Sequence, residues 1–230
     1  MFFLQLKFPT KTLQSFIELA FDKFKFAEIT FNFLNDIAAL KNFSNKARNN
    51  YVLPLTNAYS DIAALYHSSI TKDLKRSKKF DVVYKATPDY ASVLKLYETL
   101  YKKRLEKWAD KDVANFSIIC KKMLQENNLV VRNVHDKNGA ILAAVILLKD
   151  DKRLYNIISC ITTEGRRMGV NHLLYNELIK EFSNSNYCLD FEGSDIKGVA
   201  EFYSRFPTIN EQYAFVKWNN LPWLAKIFKK

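Results

Sequence analysis

Nine consecutive residues, Glu164-Gly165-Arg166-Arg167-Met168-Gly169-Val170-Asn171-His172, put two guanidiniums and two glycines where an apolar, strand-like run gives way to a helical period. A helix start exposes unpaired backbone N–H groups and the positive end of the helix dipole. Glycine there lets a ligand come close to the main chain, so the junction is suited to holding a phosphate or another anion. Arg166, Arg167, Gly169, Val170 and Asn171 are the candidate contacts for an anionic carrier. The bland alternative is a solvated helix start whose arginines meet only water. Further along, Asp190, Glu192 and Asp195 gather at the C-terminal edge of a predicted strand, where clefts open in sheets with parallel strands. Glu192 is the candidate general base, and Asp190, Ser194 and Asp195 are candidate substrate contacts. Ser194 or Asp195 serves equally as the cap of the helix that follows.

These residues need strands and helices to position them. The run over 153–161 is strand-like, and Val170, Leu174, Leu178 and Phe182 step by four along a helix predicted to end near 184. The strand predicted over 187–191 then lies parallel to the one before the helix, which makes the junction part of a β-α-β unit. Strands over 128–135 and 140–148, joined by a turn at Asp136-Lys137-Asn138-Gly139, form a three-stranded antiparallel meander with 153–161. Before the meander come a helix from Thr87-Pro88-Asp89 to 108 and a second over 112–125. The first third reads as a strand over 2–8, a helix over 10–24, strands over 26–33 and 50–55, one helix over 58–79, and a short strand over 80–85. The end of the helix over 58–79 carries Lys72, Lys75, Arg76, Lys78 and Lys79, which either complement its negative pole or contact an acidic ligand. A short helix over 196–206, a strand over 212–218 and a tail rich in Trp and Lys close the chain; the tail either packs back or rests on a membrane surface.

A chain of 230 residues with 48% hydrophobic content can bury a full core without disulfides or metals. Cys120, Cys160 and Cys188 lie far apart in apolar surroundings, which predicts buried thiols and a cytoplasmic protein. No spacing of Cys and His matches a metal site, so no metal is expected. No run approaches the length of a membrane span, and Lys7 and Pro9 interrupt the apolar opening residues. Thirty-five Lys and Arg against 24 Asp and Glu leave a net charge of +11, a field that attracts nucleic acid, anionic lipid or phosphorylated molecules.

The order of elements resembles the GNAT acyltransferase superfamily, and Arg166-Arg167-Met168-Gly169-Val170-Asn171 is similar to its phosphate-binding Gln/Arg-x-x-Gly-x-Gly/Ala, with Asn171 at the third anchor. A closer resemblance, over residues 48–223, is to the Fem-type branch of that superfamily. It rests on Arg48-Asn49-Asn50-Tyr51-Val52-Leu53 with the basic helix, and on Asp190-Phe191-Glu192-Gly193-Ser194 with Ile196-Lys197-Gly198-Val199-Ala200-Glu201-Phe202-Tyr203. The resemblance implies an α/β (α+β) fold, a GNAT-like mixed sheet with flanking helices. It divides the chain into a partial GNAT-like subdomain at 1–79, short of the family's opening strands, an acyltransferase domain at 80–218 and a tail at 219–230. It also implies transfer of an acyl group from a thioester, acyl-CoA, to a small or lipid-linked amine, with Tyr203 protonating the departing thiolate although Pro207 stands where the family has glycine. Two alternatives stand beside it. One is a Fem-type aminoacyltransferase that draws on aminoacyl-tRNA and a cell-wall precursor, with the positive charge serving the RNA backbone. The other is a non-catalytic GNAT-fold binding module.

Overall fold

The computed structural model describes residues 7, 9–35, 44–101, 110–193 and 196–226. In chain order its elements are α1 (Thr10–Lys23), β1 (Phe26–Phe31), β2 (Ser44–Arg48), β3 (Tyr51–Pro54), α2 (Tyr59–Ala64), α3 (Ser68–Ser77), β4 (Val83–Ala86), α4 (Tyr90–Tyr101) and α5 (Asp110–Gln125). They continue with β5 (Leu129–His135), β6 (Ile141–Lys149), β7 (Arg153–Ile161), α6 (Thr163–Met168), α7 (Val170–Phe182), β8 (Cys188–Asp190), α8 (Lys197–Tyr203), β9 (Ile209–Asn210), β10 (Tyr213–Asn219) and α9 (Trp223–Lys226). The chain divides into two compact units, and the boundary drawn from sequence at 79/80 falls within the larger one.

In the smaller unit, β10 pairs antiparallel with both β1 and β2. Leu13, Ile17 and Ala20 repeat at helical spacing along α1 and bury against Phe31, Ala214, Val216 and Trp218. The Trp218 indole N–H donates to the Phe24 carbonyl at 2.7 Å, which satisfies the ring's polar edge. The strand expected over 212–218 is thus found, but its partners are β1 and β2.

The larger unit is a mixed seven-stranded sheet in the order β4-β5-β6-β7-β8-β3-β9, with helices on both faces. Strand β6 explains the layering. Ala143, Val145 and Leu147 face the cluster shared with α3 and α7, while Ala144 and Ile146 face the cluster shared with α4 and α5. With both faces covered, the strand reads as a continuous apolar run and not as an alternation. The GNAT-like mixed sheet with flanking helices expected from sequence is the architecture observed.

Local chemistry accounts for several boundaries. The Thr87 hydroxyl accepts from the Asp89 N–H at 3.1 Å and the Asp89 carboxylate accepts from the Ser92 N–H at 3.0 Å, which starts α4 where the Thr-Pro-Asp signal placed it. The single helix expected over 58–79 is instead two. His67 is extended, with φ −60° and ψ 143°, and its ring nitrogen accepts from the Ser69 N–H, so α3 begins with its own cap. The His67 N–H donates to the Arg205 carbonyl at 3.0 Å, which holds the break open. The strand expected over 2–8 lies almost wholly outside the described residues, as does the end of the helix expected to reach 108. Cys120 and Cys160 are buried free thiols, and burial raises their pKa to about 11 and about 12.

Candidate active site

The site begins where two parallel strands part. Strands β7 and β8 pair as Arg153↔Cys188, Leu154↔Leu189 and Tyr155↔Asp190, and the ladder ends there. On its other side β7 carries an irregularity: Ile158 faces Ile146 and Asn156 faces Leu147, so Ile157 is an extra residue. A bulge re-aims side chains next to the point where pairing stops. Ile157 turns outward into a cleft of about 420 Å³ whose walls are Tyr97, Phe116, Ile119 and Ile158, with Asp112 and Asn115 at its edge.

On the opposite side the opening is filled by a buried polar cluster. The Asn156 amide nitrogen donates to the Tyr175 hydroxyl at 2.8 Å and to the Tyr203 hydroxyl at 3.0 Å, and the Tyr175 hydroxyl donates to Ser159 Oγ at 3.0 Å. Asn156 Oδ1 is buried with no partner among the described residues. Tyr203, expected as the proton donor, lies at this cluster with its ring 4.4 Å from that of Phe191. Burial above all, then Tyr175, raises its pKa well above the ordinary phenol value.

Beyond β8 the chain makes a tight turn. The Arg153 guanidinium donates to the Asp190 carboxylate at 2.8 Å, with both side chains more than nine-tenths buried. Asp190, expected to meet substrate, is thus buried against a cation, and its other oxygen accepts from the Glu192 N–H. Glu192 and Gly193 adopt left-handed backbone at φ 51° and 60°, a conformation that costs energy at a glutamate and gathers at functional sites. Burial, then the charge of Asp190, raises the Glu192 carboxyl to about 7. Ser194 and Asp195 lie outside the described residues.

The expected anion notch folds differently from its sequence reading. A short helix, α6, occupies the junction, capped by Thr162, whose hydroxyl accepts from the Gly165 N–H at 2.9 Å. Arg166 and Arg167 therefore stand in the last turn of α6, not the first turn of α7. Gly169 joins the helices at φ 77° and is covered by α3: a Cβ there would lie 2.9 Å from the Asp73 carbonyl and 3.2 Å from the Arg76 guanidinium. Its N–H already donates to the Arg166 carbonyl. Val170 is wholly buried, Asn171 Oδ1 is buried without a partner among the described residues, and Arg167 pairs with Glu164. Asp73 bridges His172 at 2.7 Å and Arg76 at 2.7 Å, so a carboxylate of the chain itself sits at the first turn of α7. The Cβ side of Gly169 is therefore occupied by α3. Replacing Gly169 by Ala adds a strained backbone to a blocked Cβ and is expected to cost about 1–3 kcal/mol, read as a lower urea midpoint.

Sequence reasoning missed Asn156, Tyr175, Arg153 and Asp73. The signal for the strand residues was an Arg and an Asn inside the otherwise apolar Arg153-Leu154-Tyr155-Asn156-Ile157-Ile158, which had to be paired once buried.

A family model described as an acetyltransferase (GNAT) domain matches residues 68–202, more than half of the chain and nearly all of the site. The chain belongs to the GNAT acetyltransferase family. The GNAT fold extends to solved structures of low identity. FemX is 11% identical over 96% of this chain and 80% of its own, with a TM-score of 0.66. A conserved protein of unknown function from Bacteroides thetaiotaomicron is 17% identical over 90% of this chain and 75% of its own, at 0.63. The C-terminal domain of a putative lysylphosphatidylglycerol synthetase from Agrobacterium fabrum is 13% identical over 95% and 75%, at 0.62. At these identities the likeness is one of fold. No curated protein matches the sequence. Among the described residues of this GNAT protein, no helix is long and apolar enough to cross a membrane, and no cluster of His, Cys, Asp or Glu could hold a metal.

Proposed function

We propose that the chain is an N-acyltransferase that works at the opening between β7 and β8, where an amine attacks an activated acyl group. The observation that carries this reading is a carboxyl held near neutrality, Glu192 at about 7, on a strained turn where the two parallel strands separate. A base so tuned is about half ionised at neutral pH and still strong enough to take the proton of the attacking amine. Tyr203 supplies the proton to the leaving group.

The donor we infer is an RNA-linked acyl ester, the Fem-type alternative, and not acyl-CoA. Two features support it. The Gly169 face is closed by Asp73 and Arg76, which removes the close approach a pyrophosphate needs. Around it stand the exposed cations Lys72, Lys75, Arg76, Lys78 and Lys79 of α3 and the segment after it, with Arg166 and Arg167 of α6. Lys72 and Arg76 share one face of α3, and Lys78 and Lys79 follow directly after it, an array suited to successive phosphates of a polyanion. The acceptor is an amine, small or lipid-linked, whose body enters from the bulged side of β7.

The test is binding under varied salt. Charged tRNA is expected to bind with an affinity that falls steeply between low and moderate salt, and CoA is expected to leave the melting temperature unchanged. A CoA-dependent rise in melting temperature without tRNA binding restores the acyl-CoA reading. Neither effect, with an intact fold, leaves the non-catalytic module.

A further inference from the structure

A base that takes a proton from an amine needs that amine held beside it, and an accessible cleft opens next to the parted strands. The last pair of the parallel ladder is Tyr155↔Asp190, and two residues further on come Ile157 along one chain segment and Glu192 along the other. At about 3.3 Å per residue, the bulge stands about 7 Å beyond the end of pairing. The cleft of about 420 Å³ is lined there by Ile157, which is 39% exposed, and by Ile119 of α5, which is 44% exposed. Ile158 is buried beneath it, and Tyr97 of α4 and Phe116 of α5 add two rings to its walls. Large apolar side chains left open to solvent inside a concavity mark a place shaped for a ligand.

We propose that this cleft receives the body of the acceptor and selects an aryl-alkyl primary amine; the inference rests on the transfer proposed above. The size fits such a molecule. A cavity of about 150 Å³ holds a benzene ring, so the cleft has room for a ring, a short alkyl chain and one further substituent. The rings of Tyr97 and Phe116 favour an aromatic guest, because aromatic pairs gain from edge and offset contacts beyond the area they bury. A peptide or a phosphate-bearing body fits poorly, since its N–H, C=O and charged groups would lose water against walls that are mostly apolar. With the ring seated at Ile157 and Ile119, a linker of a few carbons carries the nitrogen toward the parted strands and Glu192.

Two readouts test the cleft, one of them independent of any acyl donor. With isoleucine methyl groups labelled for NMR, 2-phenylethylamine is expected to shift the signals of Ile119, Ile157 and Ile158 and to bind about tenfold or more tightly than ethylamine, which lacks the ring. Ile119→Trp, which fills the cleft from an exposed helix position, and Phe116→Ala, which removes an aromatic wall, are each expected to erase most of that difference; an unchanged melting temperature shows that the fold is kept. No shift at these methyls, or equal binding of the two amines by the wild type, overturns the proposal. In transfer from charged tRNA, kcat/KM for 2-phenylethylamine is expected to exceed that for ethylamine by about tenfold or more, and Ile119→Trp to bring the two together. No turnover of either amine by the wild type counts against the transferase reading and leaves the methyl shifts to judge the cleft. Turnover without that preference, or with the preference kept in folded Ile119→Trp, overturns the cleft alone.

Discussion

Replacing Asp190 by Asn is expected to cost about 3–5 kcal/mol, a large part of the stability of an ordinary chain. The reason lies in what remains. Arg153 is locked in β7 with its side chain 9% exposed, and its guanidinium donates to Asp190 at 2.8 Å. An amide in place of the carboxylate removes a negative charge that directly faces a buried guanidinium, and the loss of solvation is then less well offset. Replacing both partners together, Arg153→Met with Asp190→Leu, is expected to recover much of the loss, because no charge is then stranded. Urea denaturation of the single and double variants reads both values. A single variant within about 1 kcal/mol of wild type would show the pair to be solvated, as exposed ion pairs are.

Replacing Glu192 by Gln is expected to lower kcat by about 10²–10⁴-fold while the fold is kept. Gln preserves shape and hydrogen bonding but cannot take a proton. The wild-type rate should rise with pH through about 7 and then level, because the carboxyl must be ionised to act, and the variant should show no such limb. The same residue gives a stability signature of opposite sense. Its folded pKa lies above the ordinary glutamate value of 4.5, so the folded state binds the proton more tightly than the unfolded one. Its contribution is fully present below about 4.5 and is lost as pH rises through about 7, a difference on the order of 2 kcal/mol. Glu192→Gln should remove that slope and be the more stable protein at pH 8. Melting temperatures across pH 5 to 8 for the two proteins decide it, and parallel curves would mean that the carboxyl titrates normally. Asp190→Asn should also move the Glu192 limb downward, since the Asp190 charge is the second cause of the shift.

The elements were legible wherever local chemistry alone places them. Thr87, Asp89 and Ser92 carry their own capping bonds, the turn at Asp136–Gly139 closes on its own side chain through the Asp136 carboxylate, and the apolar runs of β6 and β7 are long enough to be read without a partner. The helix expected over 58–79 failed because its break depends on a bond from the His67 N–H to the Arg205 carbonyl, a residue far away in sequence. The covering of Gly169 was hidden for a related reason. Gly169 carries the positive φ its motif suggests, but only folding reveals that Asp73 and Arg76 of α3 lie against it.

Residue types and order by themselves determined the mixed α/β fold, the parallel crossover through α7 and an acidic residue at the end of β8, because each follows from periodicity, chain direction and strand-end position. Which acid sits near neutrality, which one is spent on Arg153, and which amide bonds the Tyr203 hydroxyl were decided by tertiary structure. A pKa depends on how much water is excluded and on charges brought close by packing, and neither quantity has a signature in the sequence around the residue.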